Sequence, residues 1–347
     1  EALYSMSGSA GSPGGNTAVG ATAGRAVTTA AYNTIIGAYA AQYLTTGGAN
    51  TLLGYRAGAS LTTGPANICI GQGSMYQQTG GNYNIVIGND GMYYAGGTTS
   101  NNIVIGHGAG TQMGRVASTK NVYIGISSGY NATGSFNTFI GYESGKGGTT
   151  SAPYSSGQYN TAIGYATLDA FTTGHSNAAV GQESLSALNT GYGNAFFGYR
   201  SGQSLTTGYY NIGIGFNSTG QQGATTGHDN VGMGQNALSY LTSGNYNVAI
   251  GYNAGDAIST TASTVLIGGT AGSAINHVDA LGTVAIGYNA GAAITSGIGN
   301  VAIGYLALDA EDTGDFNTAI GYQALTTQNR NGTVNNTAVG YQAGFDV

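Results

Sequence analysis

Apolar and small polar side chains alternate in short stretches along the whole chain, and each stretch ends in a glycine. The clearest example, from Asn317 to Gly321, reads Asn-Thr-Ala-Ile-Gly. In every copy the residue before the glycine is apolar, and the residue three before it is Thr, Val, Ile or Ala. Because side chains alternate across an extended strand, these two positions share one face. Their β-branched composition predicts a short strand before each closing glycine.

The closing glycine recurs 19 times between Gly20 and Gly340, most often at one constant step, as from Gly304 to Gly321. A period of this size is typical of solenoids, whose coils stack on their neighbours. Two turn signals per period leave room for two or three strands of about four residues, and no stretch has a sustained helical period. The pattern predicts an all-β, elongated parallel β-solenoid or β-roll of about 19 coils with a 17-residue basic repeat.

The repeat also sets the expected domain organisation. We expect an N-terminal lead-in segment at 1–15 and a single repeat domain over 16–347. An insertion is expected near 143–159, because the step between closing glycines is longest from Gly141 to Gly164.

The apolar residue directly before the closing glycine is expected to face a dry interior. The residue two positions before the glycine varies in size from Gly213 to Phe139, which suggests looser packing or cover by another chain. One aliphatic side chain per coil yields less free energy than ordering the chain costs, so we favour an oligomer, most simply a trimer. The predicted core includes Ile36, Ile140, Ile163, Ile250, Ile303 and Ile320.

Asparagine stands four residues before the closing glycine in 17 of the 19 copies. A side-chain amide at a fixed corner can bond its own turn and the amides above and below it in a stack. This predicts a structural ladder that includes Asn33, Asn50, Asn160, Asn177, Asn194, Asn247, Asn300, Asn317 and Asn336.

The composition narrows the possible functions. Only 6% of residues are charged, 41% are hydrophobic and the net charge is -6, which favours an ordered chain over a disordered one. The seven Lys and Arg residues are dispersed and form no basic stripe, so we exclude nucleic-acid binding. No apolar run is long enough for membrane insertion. Cys69 occupies a strand position, which predicts a small buried hydrophobe.

Chemistry is expected only where the repeat is interrupted, because loops accept insertions more readily than coils. Lys146, Tyr154 and Tyr159 in the insertion are candidate ligand contacts, with an unliganded loop as the alternative. Tyr residues after the closing glycine predict ring stacking, with sugar binding as the alternative. The acidic group from Asp309 to Asp315 lacks the spacing of a calcium loop. We predict no catalytic residues, no cofactor and no metal.

The Asn-Thr-Ala-Ile-Gly-Tyr-Gln-Ala unit at 317–324 resembles the head repeats of trimeric autotransporter adhesins of the YadA type. It looks closer still to repeats in tail fibres of bacteriophages and fibre proteins of other large viruses. The resemblance implies a left-handed trimeric β-roll, although the autotransporter repeat is shorter and the coil here needs a wider corner. The chain begins at Glu1 without an initiating Met or signal peptide, which predicts a processing site or the edge of a fragment. Its end at Val347 would fit release from the self-cleaving chaperone of viral fibres.

The sequence therefore predicts a structural and adhesive fibre shaft, extracellular or on a virion surface, and not an enzyme. Its expected partners are further copies of itself, as a homotrimer or a filament, with a host surface glycan or receptor as a further candidate. A self-polymerising extracellular filament subunit is the first alternative. An ice- or crystal-binding solenoid is the second, although Thr-Thr-Gly occurs in too few coils to give a regular threonine face.

Overall fold

The computed structural model describes residues 14–94 and 98–345. It is an all-β parallel solenoid of about 19 coils with almost no helix. The chain forms two compact units, the first ending at Asn177 and the second beginning at Ala178. Most of the predicted lead-in segment lies outside the described residues, and the single repeat domain over 16–347 stays a prediction.

Each coil contains one strand of three residues, and among the described residues only two coils carry a second, shorter strand, instead of the expected two or three strands per coil. In the first unit these are β1 (Thr17–Val19), β2 (Thr34–Ile36), β3 (Thr51–Leu53), β4 (Ile68–Ile70), β5 (Ile85–Ile87), β6 (Ile103–Ile105), β7 (Val122–Ile124), β8 (Thr138–Ile140) and β9 (Thr161–Ile163). They pair in chain order and in parallel, with Thr17 opposite Thr34 and Thr34 opposite Thr51.

The second unit repeats this arrangement with ten coil strands and two shorter ones. The coil strands are β10 (Ala178–Val180), β11 (Ala195–Phe197), β12 (Ile212–Ile214), β13 (Val231–Met233), β14 (Val248–Ile250), β15 (Val265–Ile267), β16 (Val284–Ile286), β17 (Val301–Ile303), β19 (Thr318–Ile320) and β21 (Thr337–Val339). Two-residue strands β18 (Gly314–Asp315) and β20 (Gly332–Thr333) pair with each other. One 3-10 turn, Val278–Ala280, interrupts the unit.

Turns replace the missing strands because several residues per coil adopt left-handed backbone. In the coil of β19, Phe316, Gln323 and Leu325 have φ values of 55°, 53° and 51°. Such a conformation costs a non-glycine residue roughly 1–2 kcal/mol. Hydrogen bonds between coils offset this cost, since Gln323 N donates to Tyr305 O at 2.8 Å and Leu325 N donates to Ala343 O at 3.0 Å.

The prediction that the residue before the closing glycine faces the interior is wrong. Among the 19 coil strands of the described residues, the middle residue is buried in 18 and neither outer residue is buried in any. Alternation separates the two faces of a strand but does not say which lies inside. The side chains predicted to be core that instead lie on the outer face are Ile36, Ile140, Ile163, Ile250, Ile303 and Ile320.

The inner residue of the strand varies in size, and in eleven coils a second position six residues later compensates for it. Phe139 is followed six residues later by Gly145, where a Cβ would lie 2.3 Å from the Phe139 ring. Ala319, by contrast, is followed six residues later by Leu325, and both are buried. Large residues paired with glycine in this way are Leu52, Val104, Tyr123, Phe139, Phe196 and Leu266, and small residues paired with leucine are Ala162, Ala179, Gly232, Ala302 and Ala319. In these eleven coils the interior is therefore filled by pairs of positions rather than by one position, whereas Ala249 with Gly255 and Ala285 with Gly291 are small at both positions.

A third row of buried side chains, seven residues after the closing glycine, completes the core. Fully buried members are Val27, Leu44, Leu61, Met113, Phe171, Leu188, Leu205, Leu241, Ile258, Ile275 and Ile294. Glu311 and Gln328 occupy this row near the end of the second unit and are also buried. Gln328 Nε2 donates to Glu311 Oε2 at 2.8 Å, and Gly314 N donates to Glu311 Oε1 at 2.7 Å, so the carboxylate is hydrogen-bonded.

The closing glycine is fixed by the neighbouring coil. Gly141 has a φ of 134°, and a Cβ there would lie 2.3 Å from Gly164 O. No other residue tolerates both the conformation and the contact.

Buried asparagine side chains form a continuous set of hydrogen bonds through the first unit. In the second unit the set is interrupted where threonine replaces asparagine, because Thr283 Oγ1 donates to Ala280 O and Gly297 O instead. In the first unit, Asn33 Oδ1 accepts from Asn50 N at 2.9 Å and from Asn50 Nδ2 at 3.0 Å, while Asn33 Nδ2 donates to Gly47 O at 3.1 Å. In the second, Asn247 Nδ2 donates to Thr261 O at 2.8 Å, and its Oδ1 accepts from Thr264. Asn33 and Asn247 thus each join neighbouring coils and the intervening corner, whereas Asn317 Nδ2 is buried without a hydrogen-bond partner among the described residues.

Candidate functional site

The most extensive candidate surface is the outer face of the coil strands, which we name the outer strip and define as the first and third residues of each coil strand. It carries only Thr, Val, Ile, Ala, Leu, Phe and Met, and no charged residue. Leu53 is 42% exposed and Ile212 40% exposed, whereas inner residues such as Leu52 are fully buried. A parallel sheet usually has both faces covered. Here one face of each unit is covered by its own coil and the other is open.

Tyrosine rings flank the outer strip at the position after the closing glycine. Tyr288, Tyr305, Tyr322 and Tyr341 stack in sequence, with centroids 5.6, 5.2 and 5.3 Å apart. Their planes are within 16° of parallel. Each ring covers a face of the next, so this row extends the apolar surface rather than forming separate sugar platforms.

The insertion does not bring its three candidate contacts into one site. Lys146 Nζ lies 2.9 Å from Glu143 Oε1, an ion pair within the loop. Tyr159 stacks on Phe136, with ring centroids 4.9 Å apart. Tyr154 instead lines a groove of about 520 Å³ together with Arg115.

We name this the insertion groove; its lining residues are Arg115, Val116, Ala117, Thr133, Gly134, Ser135, Ala152, Pro153, Tyr154, Ser156 and Gln158. The Arg115 guanidinium carbon lies 4.5 Å from the centroid of the Tyr94 ring and 5.2 Å from that of Tyr154. Gln112 Oε1 accepts a hydrogen bond from Arg115 Nε. The guanidinium is therefore held in place by two rings and an amide.

The sequence pattern does not indicate Arg115 as a functional candidate. Arg115 appears there only as one of seven dispersed cations, in a lengthened repeat between Gly106 and Gly125. The signal is the presence of Arg115 and Tyr154 in two separate interruptions, but their proximity depends on how the coils stack and is visible only in the structure.

Charge is distributed unequally between the two units. Residues 1–177 contain five Lys and Arg and four Asp and Glu, whereas residues 178–347 contain two and nine. In the second unit Arg200 Nε donates to Glu183 Oε2 at 2.8 Å, which holds the pKa of Glu183 below its usual range. In the first unit, no carboxylate within the described residues forms an ion pair with Arg115.

Within residues 14–94 and 98–345, no group of three His, Cys, Asp or Glu side chains could hold a metal ion. Burial raises the pKa of the Cys69 thiol far above its usual range, so it is not poised as a nucleophile. No helix in these ranges is both long and apolar enough to cross a membrane.

The threonine hydroxyls that an ice-binding face would present to ice instead donate hydrogen bonds to the next coil. Thr28 Oγ1 donates to Thr45 O at 3.0 Å, and Thr45 Oγ1 donates to Thr62 O at 2.9 Å. The neighbouring exposed row of Thr29, Thr46 and Thr63 ends at Gly80 in the next coil. These contacts give little support to ice or crystal binding.

Comparison with protein-family models, with curated proteins and with solved structures finds no match to this chain.

Proposed function

We propose that this chain is the subunit of a homotrimeric fibre shaft, extracellular or on a virion surface, and that its role is structural and adhesive rather than catalytic. The observation that carries the proposal is the outer strip, an uncharged apolar sheet face left open on coil after coil. The resemblance of the repeat to trimeric adhesin heads and to viral tail fibres supports the same function.

The energetics of the strip favour a covered state. Ile36 is 38% exposed and Leu53 42%, so full burial of such a side chain would add roughly 1 kcal/mol. Summed over the nine coils of the first unit, this reaches on the order of 10 kcal/mol. That is comparable to the ~4–15 kcal/mol that association costs, so a partner along the strip is energetically feasible.

A second and a third copy of the same chain fit the strip best. Its side chains repeat with the spacing of stacked strands, and a parallel copy carries the same spacing along its own strip. Irregular partners would leave apolar side chains uncovered, and a charged partner would find no charge in the strip to pair with. Contact with a host glycan or receptor is assigned to the insertions.

Solution mass tests the proposal directly. Sedimentation velocity of the wild-type chain should give three times the 34.5 kDa chain mass. Ile36→Asp with Leu53→Asp, which places two charges in the strip, should shift the mass towards the monomer. Thr46→Asp with Thr63→Asp, at exposed turn positions, is the matched control and should remain trimeric.

Circular dichroism on the same samples should show that all three proteins keep their strand signal. A monomeric wild type would contradict the proposed trimer. If Ile36→Asp with Leu53→Asp stays trimeric, the outer strip is not the interface. Long polymers would favour the self-polymerising filament instead.

A further inference from the structure

We propose that the insertion groove binds a saccharide bearing a carboxylate, such as a uronic acid unit. The inference deepens the adhesive part of the proposed function, on which it rests for the source of its ligand. It does not depend on the trimer, because no residue of the groove belongs to the outer strip.

The positive charge in the groove has a fixed position. Arg115 lies between the Tyr94 and Tyr154 rings, and its Nε is bonded to Gln112. Within the described residues no carboxylate lies at ion-pair distance from its terminal nitrogens. A guanidinium presents a planar fork of donors that matches a carboxylate. Because it is already held, little side-chain entropy is lost when it binds.

The rest of the lining suits a sugar ring. Tyr154 and Pro153 offer apolar surface, and Val116 in the same lining is 47% exposed. Sugars bind proteins through such surfaces combined with a few polar groups that fix orientation. The exposed side chains of Ser156 and Gln158 lie in the same groove and can bond ring hydroxyls.

No Asp or Glu lines the groove, so nothing in its lining repels an anionic ligand. An exposed charge pair contributes modestly, and we expect methyl β-D-glucuronide to bind roughly fivefold more tightly than methyl β-D-glucoside. The two probes differ only at C6, which is a carboxylate in the glucuronide and a hydroxymethyl group in the glucoside. Loss of the ratio in Arg115→Gln would therefore assign it to Arg115.

Saturation-transfer NMR with the full chain and each glycoside at millimolar concentration tests the site. The glucuronide should show transfer to its ring protons, and Arg115→Gln should reduce its affinity to that of the glucoside. Tyr154→Leu should weaken both sugars. Arg25→Gln removes an exposed cation elsewhere in the first unit and is the matched control, which should bind like wild type.

Equal affinity for the two glycosides, no transfer at all, or unchanged glucuronide binding by Arg115→Gln would each overturn the proposal. Displacement of the glucuronide by acetate at equal concentration would indicate a simple anion site and overturn the saccharide assignment. Sedimentation of the same samples separates the two proposals. A monomer that binds the glucuronide would contradict only the proposed trimer. A trimer that binds neither sugar would contradict only the proposed saccharide site in the insertion groove.

Discussion

Two regions of the molecule build the same coil from different interiors. In the first unit, β7 and β8 place Tyr123 and Phe139 inside, with ring centroids 4.9 Å apart, and each is matched by a glycine six residues later. In the second unit, β17 and β19 place Ala302 and Ala319 inside, each matched by a leucine. The strands have the same length and the same parallel pairing in both regions. The same backbone therefore accommodates either pair of side chains.

The largest effect is expected where this volume match is broken. Gly145→Leu places a side chain where even a Cβ would lie 2.3 Å from the Phe139 ring. We expect a loss of roughly 4 kcal/mol in the free energy of unfolding, measured by chemical denaturation. Phe139→Ala combined with Gly145→Leu copies the pair Ala319 and Leu325, and should recover at least half of that loss. A double variant no more stable than Gly145→Leu would refute volume matching.

The ladder should respond equally in both regions, because its bonds do not involve the variable core. Asn121→Ala leaves Asn137 N and Gly134 O without their partner, and Asn247→Ala does the same to Thr264 N and Thr261 O. Each buried group left unpaired costs about 1–3 kcal/mol, so both variants should lose roughly 2–4 kcal/mol in the free energy of unfolding.

Asn247→Thr is the matched control for the ladder. It copies the residue at 264, keeps a hydroxyl at the corner, and should lose less than Asn247→Ala. Unequal losses for Asn121→Ala and Asn247→Ala would show that the ladder depends on the neighbouring core.

The smallest effect is the pH dependence that Cys69 of the first unit contributes. Burial raises the pKa of Cys69, whereas an unfolded thiol ionises near a pKa of about 8.5. The unfolded state therefore loses a proton that the folded state retains, and stability falls as pH rises above about 8.5, by up to ~1.4 kcal/mol per pH unit. Between pH 8.5 and 10 we expect a loss of roughly 2 kcal/mol under reducing conditions.

Cys69→Val, which copies Val86 of the next coil, should remove this share of the pH dependence. Denaturation at pH 7.5, 9 and 10 for both proteins gives the difference directly. Identical slopes for the two proteins would contradict the assignment to Cys69.

Much of the fold could be predicted from the sequence, because the repeat constrains each position 19 times. The strand before the closing glycine, the number of coils and the all-β class follow from alternation and period. Which face lies inside could not be predicted, since Ile36 and Ile35 are both aliphatic and alternation treats the two faces alike. In eleven coils the inner face is indicated by the size match between positions six residues apart, a signal that is present in the sequence but requires the fold to interpret.

The residues of the insertion groove are harder to predict from the sequence than the fold. The interruption of the repeat predicts Tyr154, but the same rule predicts Lys146 and Tyr159, which pair with Glu143 and Phe136 instead. Arg115 comes within reach of Tyr154 only because the coils between them stack.

The register of strand pairing does not depend on the length of the chain that connects the strands. Thr138 lies opposite Val122 on one side and opposite Thr161 on the other, in the same three-residue register, although the connection to Thr161 is much the longer. The corner that absorbs the difference lies between Gly147 and Ser155, at the side of the insertion groove. New peptide segments grafted into this corner should leave the stack unchanged, which makes the chain a display scaffold whose loops can be exchanged without redesigning its coils.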